Sequence, residues 1–322
     1  MRVLVVTNMY PTDDEPAFGT FVGEQVAALR RRGVDVDVLF FNGRRNKLNY
    51  LWGLFRLWKR LLTQRYDLLH AHYVFSGVIA RLQWMYPVVV SFHGAGEMVG
   101  WQGWLCKRLA PLVDGVTVTS PRHFDDLGFA QARIVPCGAD MDLFKPMPRE
   151  QARATLGLPG EAKLAVFVGD PRPEKRLPLI EEAVNLVAQD DPQVKLAKAI
   201  GVPHDHVPLY MNACDVFVLA SDTEGSPVVI KEAMACNLPI VSVDVGDVAE
   251  VIAGVEGCFL AEQTATDLAV KIARALAFGR RTDGREAIAR LSLDGTADGV
   301  MALFHDVLRE KGAHGALAAG DG

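Results

Sequence analysis

The sequence predicts an α/β protein of two Rossmann-like domains, each built on a parallel sheet, and three observations point there. Short apolar runs such as Val3–Val6, Val88–Val90, Leu164–Val168 and Val216–Leu219 lack polar alternation, as strands buried on both faces do. Amphipathic stretches of helical length separate them, which is the βαβ pattern of a parallel sheet with right-handed crossovers. The chain has 322 residues, half of them hydrophobic, which is enough for two sizeable cores.

Charge is split along the chain. Residues 1–150 carry 18 Lys and Arg against 14 Asp and Glu, and the remainder carries 16 against 25. The first part is therefore the side expected to face an anionic surface. Five scattered cysteines with no C-x-x-C pair read as reduced thiols. The opening Met1–Thr7 does not read as a signal peptide, and no apolar run reaches the roughly 20 residues that span a bilayer. A cytoplasmic protein is expected, and no nucleic-acid partner.

In chain order, Val3–Val6 is a strand, followed by a turn-rich loop to Gly19 and an amphipathic helix from Phe21 to Arg32. Val34–Phe41 alternates as a second strand. Loops after such strands lie at their carboxyl ends, where ligands enter parallel sheets. Residues 44–66 differ in character. Leu48, Leu51, Trp52, Leu54, Phe55, Leu57, Trp58, Leu61 and Leu62 form a wide apolar stripe at helical spacing, accompanied by seven Lys and Arg with no acid among them. Cations, tryptophans and an apolar face are what a helix lying on an anionic membrane needs. The competing reading packs the helix on its own sheet with its cations solvated.

Leu68–His72 and Tyr86–Phe92 are further strands, and His93 follows the second directly, at a carboxyl edge. His70 and His72 have no third ligand nearby and read as structural or cleft-lining. Trp101–Val113 is a helix, Gly115–Ser120 a strand, and Pro146–Leu156 opens the second domain.

The densest signal is Ala220-Ser221-Asp222-Thr223-Glu224-Gly225-Ser226-Pro227-Val228, which runs on as a helix to Ala235. A buried strand, a polar turn, Ser226 as N-cap and Pro227 at the first helical position present backbone N–H groups at the positive end of a helix dipole. That is a seat for an anion. Glu224 and Glu232 bracket it, about 12 Å apart along the axis if both were helical. The arrangement suits a long ligand with hydroxyls at both ends and a diphosphate between them, the shape of a nucleotide-sugar.

Glu224 to Glu232 with Ala233-Met234-Ala235 resembles the E-x7-E segment of retaining glycosyltransferases of the GT-B fold, family 4 in particular. The likeness extends to Pro136-Cys137-Gly138-Ala139-Asp140, which is similar to the family's interdomain connector with Cys137 in place of Asn. It also covers the Lys175 turn, the His93-Gly94 pair and the Gly19 loop. The resemblance implies GT-B architecture: two Rossmann-like domains facing a cleft, at 1–145 and 146–294. A final segment, 295–322, would be a helix crossing back to the first domain and a disordered tail after Gly312.

The resemblance further implies that Glu224 orients the donor sugar, Glu232 holds the ribose and His93 lies beside the reacting sugar. Lys175, with Arg172 for an Arg displaced by Asp170, would grip the diphosphate together with Gly225, Ser226, Pro227 and Val228, and Gly19 would sit near the phosphates. The family's acid two residues after His93-Gly94 is Gly96 here, with Glu97 one later. The stretch 194–204 is shortened relative to the family, in a region tied to the nucleotide base. Asp140-Met141-Asp142 matches a D-x-D metal motif of a different fold and is set aside, since nothing around it resembles that fold.

The expected reaction is metal-independent transfer of a sugar from a nucleoside diphosphate to a glycan or lipid-linked acceptor, with retained configuration and no cofactor. Domain closure would exclude water from the donor. The rivals are a GT-B nucleotide-sugar epimerase or phosphorylase, and a non-catalytic nucleotide-sugar-binding subunit.

Overall fold

The computed structural model describes residues 1–15 and 18–320. It divides into two units, Met1–Pro136 with Leu293–Gly322, and Cys137–Ser292.

The first unit alternates β1 (Arg2–Thr7), α1 (Thr20–Arg31), β2 (Asp35–Phe40), α2 (Asn49–Thr63), β3 (Leu68–His72), α3 (Val74–Arg81) and β4 (Val88–Phe92). It continues with α4 (Gly100–Leu109), β5 (Gly115–Val118), α5 (Pro121–Leu127) and β6 (Arg133–Ile134). All strand pairs are parallel, in the order β2-β1-β3-β4-β5-β6. The strands bury both faces because helices cover both. On one side Leu57 and Leu61 of α2, Ile79 of α3 and Cys106 and Leu109 of α4 pack on Leu4, Val6, Leu69 and Val90.

The second unit begins with α6 (Arg149–Leu156), β7 (Lys163–Val168), α7 (Leu177–Asp190), β8 (Val194–Ala199), α8 (Val207–Ala213) and β9 (Val216–Leu219). After these come α9 (Val228–Ala235), β10 (Ile240–Val243), α10 (Val248–Ile252), β11 (Cys258–Ala261), α11 (Ala265–Phe278) and α12 (Gly284–Ala287). Its parallel sheet has five strands in the order β11-β10-β9-β7-β8. One face carries α8, α9 and α10, and the other α7 and α11.

The chain then returns to the first unit as α13 (Leu293–Gly320). Val300, Leu303, Phe304 and Val307 of α13 join Val22, Val26 and Leu29 of α1 over Val3, Val5 and Leu68. Thr296 Oγ1 donates to the Pro136 carbonyl at 2.9 Å and helps seat its start.

Several boundaries differ from the sequence reading. The helix expected over Trp101–Val113 ends at Leu109, followed by a 3-10 turn from Ala110 to Leu112. The Ala-rich stretch after Gly312, read as disordered, continues α13 to Gly320, in keeping with alanine's high helix propensity. Asp321 and Gly322 lie outside the described residues. Cys137–Lys145 goes with the second unit: the Ala139 N–H donates to the Leu291 carbonyl, and Arg285 donates to the carbonyls of Met141 and Phe144.

Phe304 is fully buried against the sheet side of the first unit. Phe304→Ala is expected to cost about 3–5 kcal/mol. Urea unfolding followed by circular dichroism should show an earlier transition for the first unit alone.

Candidate active site

Two neighbouring strands of the second unit, β7 and β9, end side by side, and their following loops are stitched together. The Asp222 N–H donates to the Glu174 carbonyl at 2.8 Å, and Arg176 pairs with the Asp222 carboxylate at 2.7 Å. Gln263 Nε2 donates to Asp222 Oδ1 and to the Ala220 carbonyl. This lacing brings Lys175 Nζ to 2.5 Å from Glu224 Oε1, with both side chains about 15% exposed (15% and 16%). The sequence reading named both residues, and the fold brings them together.

The turn after β9 is held from below. Lys231, on the first turns of α9, is fully buried, and its ammonium lies 2.7 and 2.8 Å from the two Asp247 carboxylate oxygens. The same ammonium donates to Ser226 Oγ at 2.7 Å, and that hydroxyl donates to Asp247 Oδ2 at 2.7 Å. A buried charge pair with every partner satisfied orders its surroundings. Gly246, at φ +61°, closes the contact, because a Cβ there would stand 2.5 Å from the Gly225 carbonyl oxygen. The loops after β9 and β10 are thereby locked to each other.

This network corrects the capping expectation. α9 starts at Val228 with Pro227 as its N-cap, and no side chain caps it. Ser226 lies one residue before the N-cap, and its hydroxyl accepts from Lys231 and donates to Asp247 instead of capping the helix. The Ile230 N–H donates to the Pro227 carbonyl at 3.2 Å, which leaves the N–H groups of Val228 and Val229 at the helix start for a ligand or water.

Arg172 does not join Lys175 and Glu224. Its guanidinium is 61% exposed and lies 3.2 Å from Glu174, two residues away. Glu232 is buried and hydrogen-bonded to His204 Nε2 at 2.8 Å. His204 comes from the shortened connection between β8 and α8, and its ring rests against Phe144 at 5.3 Å. Glu224 is not helical, so the spacing drawn from helical rise does not describe this pair.

In the first unit, His93 follows β4 as expected. His93 Nε2 lies 2.9 Å from His72 Nδ1, the two rings are stacked at 5.0 Å, and Phe21 and Tyr73 flank His93. His70 Nε2 bonds Ser91 Oγ at 2.8 Å, and Ser91 accepts from Thr117. Burial holds His93 and His70 down at about 3, and His72 well below the ordinary imidazole range; neighbouring imidazoles add to each shift. All three are neutral at physiological pH.

Glu97 is engaged by backbone groups. Its buried carboxylate accepts from the N–H groups of Val74, His93 and Gly94 at 2.7–3.1 Å and so fixes the His93-Gly94 turn to the start of α3. Burial pushes its pKa up to about 7 against the pull of those three N–H groups. Gly19 takes φ +75° at the start of α1, and a Cβ there would fall 2.6 Å from the Met9 carbonyl carbon. The backbone approach alone demands glycine.

Lys231, Asp247, His204 and His72 were not assigned from the sequence as site residues. Lys231 carried a signal: it is the single cation in an otherwise apolar Val228–Ala235 helix apart from Glu232. The others depend on contacts between loops distant in sequence.

Two family models match the chain, one described as Glycosyltransferase Family 4 over residues 1–143 and one as Glycosyl transferases group 1 over residues 154–277. A protein of Bacillus subtilis (strain 168) named as a teichuronic acid biosynthesis glycosyltransferase is 24% identical over 85% of this chain and 89% of its own length. A D-inositol 3-phosphate glycosyltransferase of Geodermatophilus obscurus is 27% identical, over 77% of this chain and 68% of its own length. Among solved structures, HepE of Anabaena in complex with UDP and glucose has a TM-score of 0.75 at 17% identity, covering 95% of this chain and 100% of that one. Sucrose-phosphate synthase from Thermosynechococcus elongatus has a TM-score of 0.71 at 21% identity, covering 100% and 99%. These structural likenesses establish the α/β GT-B two-domain fold.

Lys231→Met leaves Asp247 buried without its partner and is expected to cost about 3–5 kcal/mol, whereas Lys231→Met with Asp247→Leu should recover much of that loss. Denaturant unfolding of both variants measures the difference. The imidazoles set a pH dependence. Unfolded histidines take protons below about 6.5, while His70, His72 and His93 in the fold do not. Their contribution is present above that pH and is lost as pH falls below it, toward about 3 for His70 and His93. Glu97 acts in the opposite sense, with stability lost as pH rises from 4.5 to about 7. Three groups against one give a net loss on acidification, readable as a lower Tm at pH 5 than at pH 7.

Proposed function

The chain belongs to family 4 of the glycosyltransferases, the group 1 glycosyl transferases, and on that premise we propose that it transfers a sugar from a nucleoside-diphosphate donor to an acceptor hydroxyl with retention of configuration. The observation that carries this reading is the Lys175–Glu224 pair beside the uncapped start of α9. The two charges satisfy each other. A diphosphate at the helix N-terminus would draw the ammonium of Lys175 to itself, and the freed Glu224 carboxylate would accept from sugar hydroxyls. The negative charge that builds on the departing diphosphate would meet the Lys175 ammonium and the N–H dipoles of the helix start, which are fixed in place and act as a preorganised field that lowers a barrier. Arg172 would swing from Glu174 to add a bidentate partner.

Glu232, steadied by His204, is assigned to the nucleotide ribose, and His93 serves the reacting sugar as a neutral hydrogen-bonding group. Gly225 and Val228 offer the turn's backbone. Lys175, Arg172 and the helix start would carry the charge compensation that a divalent ion gives elsewhere, so transfer should proceed within about twofold of its full rate in EDTA. We assign the acceptor to glycan or lipid-linked hydroxyl compounds. The relative named for teichuronic acid biosynthesis supports a place in polysaccharide synthesis. The reaction is placed on the cytoplasmic side, with peripheral association to an anionic membrane through residues 44–66.

A non-catalytic donor-binding subunit is the second reading, favoured by the exposed Arg172 held to Glu174. A thermal-shift screen of UDP-, GDP- and ADP-sugars identifies the donor. A ligand at 100 times its Kd should stabilise the protein by about 2.7 kcal/mol. With that donor, Glu224→Gln is expected to lower kcat/KM at least about 100-fold, and NMR of the first-formed product should show the donor's anomeric configuration. Unchanged turnover in Glu224→Gln, or an inverted product, contradicts the assignment. Donor consumed without acceptor would favour epimerase or phosphorylase chemistry.

A further inference from the structure

The layer formed by α2, α3 and α4 turns an apolar and aromatic side outward. α2 buries Leu57 and Leu61 against the sheet, yet Leu51, Trp52, Phe55 and Leu62 of the same helix are between 61% and 74% exposed. It is apolar on two faces, and the core uses one. The connection after α3 adds Trp84, the most exposed of these at 81%, together with Leu82 and Met85. The start of α4 adds Trp101 and Trp104, preceded by Val99. Ring contacts tie the three elements into one surface. Trp58 of α2 meets Trp84 edge-on at 5.2 Å, and Tyr50 of α2 meets Phe75 of α3, which meets Trp101, each at 5.6 Å.

Charge accompanies this face. Between Arg44 and Leu112 stand ten Lys and Arg and two acids. Of those acids, Glu97 is buried on three backbone N–H groups and Asp67 accepts from the Arg2 N–H. Among the described residues, only Arg45 of the ten cations comes within ion-pair distance of an acid, at 3.9 Å. Arg108 lies over the Trp104 ring at 5.4 Å. Soluble monomers seldom expose so continuous an apolar patch. Tryptophan, leucine and phenylalanine beside cations, of which Arg56, Arg60 and Arg81 reach only backbone carbonyls, match a surface with an apolar interior and a negative rim. No described helix is long and apolar enough to cross a membrane, so the contact is one of lying on.

We propose that the outer side of the α2–α3–α4 layer seats the first unit on an anionic bilayer, with Trp52, Phe55, Trp84 and Trp101 in the interfacial region and the surrounding Lys and Arg at the lipid phosphates. The inference rests on the membrane reading of residues 44–66 and extends it from one helix to a three-element face. It also selects an acceptor carried by a lipid over a freely soluble one.

The test is flotation of the full chain with phosphatidylcholine vesicles, with and without roughly 30% phosphatidylglycerol. Three variant sets are compared, Trp52→Ser/Phe55→Ser, Trp84→Ser, and Trp101→Ser/Trp104→Ser. All change exposed side chains, and an unchanged Tm confirms folding. Wild type is expected to bind the anionic vesicles at least about tenfold more tightly than neutral ones, and each set to weaken that binding several-fold, on the order of threefold or more. If only the α2 pair weakens binding while the Trp84 and Trp101/Trp104 variants bind as wild type, the three-element face is overturned and the α2 reading stands. If nothing binds vesicles and light scattering shows a dimer that Trp84→Ser dissociates, the face belongs to a second copy and both readings fail. Transfer to a soluble acceptor is read in parallel and should not change in any of these variants.

Discussion

The buried contact of Lys231 with Asp247 and Ser226 is the constraint on which the second unit's ligand edge depends. Parallel strands deliver loops to one edge, but an edge of loops has no fixed shape until something joins them. Here one ammonium is removed wholly from water and given a carboxylate and a hydroxyl as partners. Desolvating such a group is costly unless each partner is in place, so the turn after β9 has little freedom to depart from this arrangement. Gly246 completes the lock by letting the next loop approach the Gly225 carbonyl. Above that rigid floor, Lys175 and Glu224 remain partly exposed and available to exchange partners.

The first unit solves the same positioning problem with a carboxylate instead of a cation. Glu97 gathers three backbone N–H groups, and that holds His93 and its turn against α3. Tyr73 sits between β3 and α3 at φ 69°, a strained backbone for a bulky residue that the surrounding packing must enforce. Stacked, neutral imidazoles then present His93 as a hydrogen-bonding group rather than a charge. Each unit therefore spends its buried polar groups on fixing the loop after one central strand.

Much of this was legible in the sequence, for identifiable reasons. Strands such as Val88–Phe92 and Val216–Leu219 are uniformly apolar because both faces are covered, and the βα alternation yields the parallel order. Glu224, Glu232 and His93 stood out by their places next to strand ends or on the following helix, whereas Lys175 and the roles given to all four came from the resemblance to the family. What could not be read depends on choices between competing partners. Ser226 looks like an N-cap until Lys231 claims its hydroxyl, and Arg172 looks like a phosphate ligand until Glu174 is seen beside it. The apolar stripe of α2 was evident, but spacing alone does not say that Leu57 and Leu61 face the sheet while Trp52 and Phe55 face outward. Trp84 and Trp101 carried no periodic signal at all.

The most direct measurement is a crystal structure with the nucleoside diphosphate that binds best. The assignment predicts phosphate oxygens within about 2.7–3.2 Å of Lys175 Nζ and of the first backbone N–H groups of α9, with the Lys175–Glu224 contact opened. Phosphates bound elsewhere, or a Lys175–Glu224 pair left intact beside a fully occupied nucleotide, would contradict it.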